Sequence, residues 1–238
     1  GLNYLDRYTS TFTHIQADPS DTTGLANNKV LSIWMARDGK LWLGFWNGGV
    51  NVYDPVTGEF KHYQHDPDDP SSLSGNNIYS IYQDSQGTMW IGTWGSGLNK
   101  YNPDMDNFIR YQHDPNDMTS IANSGCIMIR EDYRGNIWVA MEGAGVSIYT
   151  KSTGEFTTYT KTSDPKSLTN ESIFSLFEDS NNHMWVGTNG GGLCMYDREN
   201  DNFIAYRMSD GLPNEVIFGI LEDDAGYLWL STNKGLSK

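Results

Sequence analysis

Apolar and polar residues alternate along the chain in short stretches punctuated by turn formers. Asn77-Ile78-Tyr79-Ser80-Ile81-Tyr82 alternates as a strand does, Asp84-Ser85-Gln86-Gly87 interrupts it, and Met89-Trp90-Ile91-Gly92-Thr93 resumes it. Gly95-Ser96-Gly97 then leads into Leu98-Asn99-Lys100-Tyr101, and Met105-Asp106-Asn107 leads into Phe108-Ile109-Arg110-Tyr111. This pattern predicts four consecutive strands, called a, b, c and d below, joined by tight turns.

The unit recurs. Aligning on tryptophan brings together Trp42, Trp90, Trp138, Trp185 and Trp229, spaced by 48, 48, 47 and 44 residues. Gly49, Gly97, Gly145, Gly192 and Gly235 follow them, then Tyr53, Tyr101, Tyr149 and Tyr196, then the pairs Phe60/Tyr63, Phe108/Tyr111, Phe156/Tyr159 and Phe203/Tyr206. A four-stranded antiparallel unit at this period predicts an all-β fold, a β-propeller of four-stranded blades. Residues 1–238 then form one propeller domain or segment of five repeat units, divided at about 48, 96, 144 and 191. Gly1-Leu2-Asn3-Tyr4-Leu5-Asp6 is in phase with Gly49-Val50-Asn51-Val52-Tyr53-Asp54, so the N-terminus supplies strands c and d and the C-terminus supplies a and b. Two outcomes stay open: a closed five-membered ring, or part of a seven-bladed propeller.

Positions that recur in every unit are explained by the unit. The five tryptophans are expected between neighbouring blades, the glycines at positive φ in the b–c turns, and Asp84, Asp132, Asp179 and Asp223 bonded to their own a–b turns. One carboxylate per turn is too few oxygens for calcium. Small residues at Ser32, Ser80, Ser175 and Gly219 fit where inner strands converge, with Met128 breaking the set. Asn27, Asn123, Asn170 and Asn214 are expected to shape the entry to strand a.

The motif Ile81-Tyr82-Gln83-Asp84-Ser85-Gln86-Gly87-Thr88-Met89-Trp90-Ile91-Gly92-Thr93, followed by Gly97-Leu98-Asn99-Lys100-Tyr101-Asn102-Pro103 and by Phe108 to Tyr111, resembles the two-component regulator propeller repeat. Ala36 replaces the turn aspartate in one copy, Asn182 the turn glycine in another, and the last copy is one residue short before Gly235. The resemblance implies the periplasmic sensor region of a bacterial hybrid two-component histidine kinase, part of an inner-membrane receptor whose propellers sense oligosaccharides released from glycans. It also implies neighbouring propellers or other domains as partners, and a homodimer of the parent. The kinase lies outside this sequence.

Charge narrows the partners. A formal net charge of −14 with only 16 Lys and Arg argues against nucleic acid and against an anionic membrane surface. No 18-residue apolar run or basic-then-apolar leader is present, so no direct membrane insertion is expected. Cys126 and Cys194 fall in different repeats and are expected as separate thiols.

The informative positions are those where the copies differ on the face carrying the b–c and d–a loops. One b–c position reads Trp46, Trp94, Glu142, Asn189 and Asn233, placing two tryptophans where the repeat does not require them. An indole stacks on the C–H face of a sugar while Asn and Glu satisfy its hydroxyls, so Trp46, Asn47, Asn76, Trp94, Glu142, Asn189 and Asn233 form the candidate ligand-binding set. The same tryptophans suit contact with a neighbouring domain, or capping of the core between blades. His65 and His113, equivalent in two Gln-His-Asp-Pro segments, join the set; without a third ligand at metal spacing they suggest no zinc site, and loop stabilisation is the plainer role. Against an enzyme, arginines stand at scattered phases, Glu142 is the only acid at the b–c position, and no nucleophile, zinc or phosphate motif is present. No cofactor or metal is expected. A sensing module is therefore the reading, with an interaction scaffold as the alternative and a propeller glycosidase behind it.

Overall fold

The computed structural model describes residues Gly1–Lys238 and divides the chain into two compact units, Gly1–Tyr111 and Gln112–Lys238. In the first unit, β1 (Leu2–Asp6) and β2 (Thr11–Ile15) form a two-stranded sheet. Four-stranded sheets follow, made from β3 (Val30–Met35), β4 (Leu41–Phe45), β5 (Val50–Tyr53) and β6 (Phe60–Tyr63), then from β7 (Ile78–Gln83), β8 (Met89–Thr93), β9 (Leu98–Asn102) and β10 (Asn107–Tyr111). The second unit repeats the arrangement with β11 (Cys126–Glu131), β12 (Ile137–Met141), β13 (Val146–Thr150) and β14 (Glu155–Tyr159), and with β15 (Ile173–Glu178), β16 (Met184–Thr188), β17 (Leu193–Asp197) and β18 (Asn202–Tyr206). A three-stranded sheet of β19 (Ile217–Glu222), β20 (Leu228–Thr232) and β21 (Gly235–Ser237) ends the chain. Every pairing is between consecutive antiparallel strands, so each four-stranded sheet is the a-b-c-d blade of a β-propeller.

The alternation in the sequence becomes packing between blades. In the first unit Trp42, Val50, Val52 and Leu73 meet Ile78, Ile81, Met89, Ile91 and Phe108, and in the second Trp138, Ala140, Val146 and Ile148 meet Ile173, Leu176, Met184 and Phe203. Trp90 and Trp138 are fully buried, and a ring of that size contributes about 3 kcal/mol on leaving water. Each indole N–H needs a partner there. Trp90 Nε1 donates to Asp84 Oδ2 at 2.9 Å, Trp138 to Asp132 at 3.0 Å, Trp185 to Asp179 at 2.8 Å and Trp229 to Asp223 at 2.7 Å. The other oxygen of Asp84 accepts the turn amides of Gln86 and Thr88. One carboxylate thus closes the a–b turn and satisfies the buried indole six residues on. Where Ala36 stands in its place, Arg37 instead reaches the carbonyls of Asp84 and Ser85 in the next blade.

Gly49 sits at φ +68° with its carbon against the next strand: a Cβ there would meet Tyr63 O at 2.2 Å. Asn182, which replaces a turn glycine, takes the same left-handed region at φ +66°. The expected small residues of strand a bond sideways to the next inner strand. Ser32 Oγ accepts from Ile81 N at 3.1 Å, and Met128 keeps the link through its sulfur, which accepts from Leu176 N at 3.3 Å. Both cysteines are buried free thiols.

Outer strands are locked by tyrosines. Tyr63 and Tyr101 hydroxyls both donate to Asp106 Oδ1, at 2.6 and 2.7 Å, and Lys61 Nζ reaches its other oxygen at 2.5 Å. Tyr159, Tyr196 and Asp201 repeat the arrangement. Asp106 and Asp201 hold φ +53°, at the turn position occupied by Gly58 and Gly154 in the other blades. Burial, followed by the bond to Asp106, pushes the Tyr63 hydroxyl far above the ordinary phenol range.

Candidate ligand-binding face

A β-bulge opens every inner strand at the b–c end. In β7, Ile78 faces Thr93 and Ser80 faces Gly92, leaving Tyr79 without a partner in the ladder. The same slip occurs at Val30/Ser32, Cys126/Met128, Ile173/Ser175 and Ile217/Gly219. A bulge re-aims a side chain, and the residues so placed are Leu31, Tyr79, Ile127, Phe174 and Phe218. Tyr79 stacks on Trp94 with ring centroids 4.8 Å apart and meets Trp46 edge-on at 6.3 Å. Trp46, Tyr79 and Trp94 are therefore one aromatic cluster in the first unit. Trp46 is 37% exposed, and Tyr79 and Trp94 are half-buried. The Tyr79 hydroxyl and both indole N–H groups make no hydrogen bond within the protein, which leaves three polar groups for a ligand or water.

The platform is held by backbone. Trp46 N donates to Lys29 O at 3.1 Å, Asn27 Nδ2 donates to Trp46 O at 3.1 Å, and Trp94 N donates to Asn77 O at 2.9 Å. Asn47, at φ +57°, donates its N–H to Asn77 Oδ1 at 2.7 Å. Asn76 O accepts from Gly48 and Gly49, while its side-chain oxygen accepts from His65 N at 2.7 Å. Asn47 therefore presents an exposed side chain beside the rings, whereas Asn76 works as a bracket between turn and loop. His65 Nδ1 lies 2.7 Å from Leu73 O and His113 Nδ1 2.9 Å from Ile121 O, so one ring nitrogen of each spans its own d–a loop.

In the second unit Glu142, Asn189 and Asn233 are all exposed on b–c turns. Asn123 Nδ2 donates to Glu142 O at 3.1 Å and Asn170 Nδ2 to Asn189 O at 2.8 Å, which makes these entry asparagines structural clamps. Phe174 and Phe218, absent from the sequence-derived set like Tyr79, stack at 5.3 Å with planes 9° apart. The signal for all three was available in the residue between the first and third positions of strand a, which varies from copy to copy.

The second unit also contains two carboxylates shifted in opposite directions. Burial pushes Glu178 up; Asp132 lies below the ordinary range because bonds from Trp138 and Arg198 outweigh its burial. Such a pair can mark an acid and a base. Here Arg198 ties both, at 2.9 Å each, and Asp132 is the a–b turn aspartate, so the cluster is a structural clamp. No three His, Cys, Asp or Glu side chains are grouped to hold a metal.

Segments 72–95, 167–190 and 211–234, each running from the end of a d–a loop through strand a, the a–b turn with its carboxylate-to-indole bond and strand b into the b–c turn, match the model for the two component regulator propeller. This chain carries that repeat. Among solved structures, this chain is similar to the extracellular domain of a protein assigned as a hybrid two component system in B. thetaiotaomicron, at 28% identity and a TM-score of 0.76, covering 89% of this chain and 28% of the other. PorZ, a surface component of the type-IX secretion system of Porphyromonas gingivalis, aligns at 17% identity and TM-score 0.73 over 95% of this chain and 34% of its own. Virginiamycin B lyase from Staphylococcus aureus aligns at 14% identity and TM-score 0.65, over 99% and 75%. The last two likenesses show the fold alone. This chain thus spans under a third of the B. thetaiotaomicron domain. No curated protein sequence matches it. No helix is long and apolar enough to cross a membrane.

Proposed function

We propose that this chain is the ligand-sensing, periplasmic part of a hybrid two-component sensor, and that it recognises a glycan-derived oligosaccharide without catalysis. One observation carries the reading: the repeat does not call for Trp46 or Trp94, yet both gather around Tyr79 on a rigid turn-and-bulge platform. A pyranose lies with its C–H face on such rings. Its hydroxyls find Asn47, the Tyr79 hydroxyl and the indole N–H groups within reach of the same surface. Backbone bonds fix the turns beforehand, so ordering them on binding costs little. The similarity to a hybrid two component system supplies the signalling context, with the histidine kinase elsewhere in the parent.

Calorimetric titration of the protein with neutral and acidic glycan oligosaccharides tests this, alongside the double variant Trp46→Ala/Trp94→Ala. Binding of at least one oligosaccharide, reduced tenfold or more in the variant, is expected; stacking losses of about 1–3 kcal/mol per ring have that effect. A wild-type protein that binds none, or a variant that binds unchanged, removes the sugar reading and leaves the face to a protein partner. Product release from the same panel would overturn the non-catalytic assignment.

A further inference from the structure

The d–a loops offer a comparison inside one chain. Loops 65–73 and 113–121 are built from the same bonds: each His bridges its loop, Asp66 N and Asp114 N donate to Ser72 Oγ and Ser120 Oγ at 2.8 and 3.0 Å, and each hydroxyl returns to the Asp carbonyl at 3.1 and 3.0 Å. Asp69 and Asp117 likewise each accept the amide and hydroxyl of the residue two positions on. In the first loop this frame holds a cation. Arg110 projects from β10, giving Nε to Ser72 O at 2.8 Å and Nη2 to Asp69 O at 2.7 Å and Ser72 Oγ at 2.6 Å.

In the second unit the matching residue is Thr158. Arg110 stands opposite Asn99 in its sheet as Thr158 stands opposite Ser147. Thr158 carries no cation, and its hydroxyl is engaged by Ser147 Oγ at 3.0 Å. Between it and the loop lies a cleft of about 220 Å³ whose lining includes His113, Asp114, Asp117, Met118 and Ser120. Neither Asp114 nor Asp117 has an ion-pair partner, and Met118 is 91% exposed at the rim.

We infer that this cleft is a docking pocket for an arginine side chain of a partner polypeptide. The guanidinium takes from Asp117 O, Ser120 O and Ser120 Oγ the bonds that Arg110 takes from the sister loop. The two carboxylates supply charge complementarity, and Met118 covers the aliphatic stem. A guanidinium suits this frame better than an ammonium, because the frame needs donors spread in one plane.

The test is an amide NMR titration of the whole chain with N-acetyl-Gly-Arg-Gly-amide and its lysine counterpart. Saturable shifts in residues 113–121 are expected for the arginine peptide, with affinity at least about fivefold lower for lysine. Thr158→Arg fills the cleft from its own strand and should abolish the shifts. Arg110→Ala should open a second responsive loop at 65–73; if that variant fails to fold, Thr158→Arg decides alone. No saturable shift, an equal response to lysine, or undiminished binding by Thr158→Arg overturns the proposal. The oligosaccharide titration is read through Trp46 and Trp94 of the first unit and the peptide titration through residues 113–121 of the second, so the failure of one is distinguishable from the failure of the other.

Discussion

Asn51 is fully buried, and its side-chain N–H₂ has no hydrogen-bond partner. Its counterpart one blade on, Asn99, is also fully buried but satisfied: Nδ2 donates to Ser74 Oγ at 2.8 Å and to Ile91 O at 3.3 Å, while Oδ1 accepts from Ser74 N at 2.8 Å. In the earlier blade the residue in the place of Ser74 is Ala26, whose N–H still donates to Asn51 Oδ1 at 2.8 Å. The backbone bond survives and only the hydroxyl is missing. Ala26 is exposed, so an added Oγ meets no packing obstacle. Ala26→Ser is therefore expected to stabilise the protein. An orphaned buried donor costs about 1–3 kcal/mol, and after the serine's own desolvation and ordering about 1 kcal/mol should remain. For a chain of this size that is a rise in Tm of about 2 °C. Ser74→Ala, which imports the same defect into the next blade, should lose about 1–2 kcal/mol. Urea and thermal unfolding of both variants, with Ala26→Ser repeated in an Asn51→Leu background, measure the coupling. A neutral Ala26→Ser, or the same gain without Asn51, would refute the reasoning.

Gly49→Ala should cost about 3 kcal/mol or more, because its Cβ would meet Tyr63 O at 2.2 Å; Gly58→Ala, also at positive φ but with nothing within 4 Å, should cost about 1 kcal/mol by urea unfolding. Comparable losses would show that φ alone sets the requirement. Bonds from Lys61 and then Tyr63 hold Asp106 down at about 2, against an ordinary value of 3.8. A depressed carboxylate contributes stability above its unfolded pKa, and that contribution fades as pH falls from about 4 through about 2. Urea midpoints across this window should fall less steeply in Asp106→Asn, and identical slopes would discard the tyrosine lock as a source of acid sensitivity.

Periodicity was enough to read the blade. Trp90 recurs because its ring fills the space between sheets, Gly49 because a strand carbonyl lies where a Cβ would be, and Asp84 because its turn needs an acceptor. These demands are local or repeat with the unit, so they appear in the sequence at a fixed spacing. Trp46 and Trp94 were legible as exceptions to that spacing. Tyr79 also stands at a position that varies from copy to copy, but its place beside them was not legible, because it becomes their neighbour through a bulge that breaks the period-two alternation, and strand patterns assign sides by assuming that alternation holds. The sharing of Asp106 by two tyrosines from different blades, and the frame that Arg110 fills beside one loop while Thr158 stands beside its twin, depend on side chains many residues apart. The sequence alone determined the repeated blade. Tertiary structure decided which of its non-repeating side chains meet, because distances between blades are set by packing and not by position along the chain.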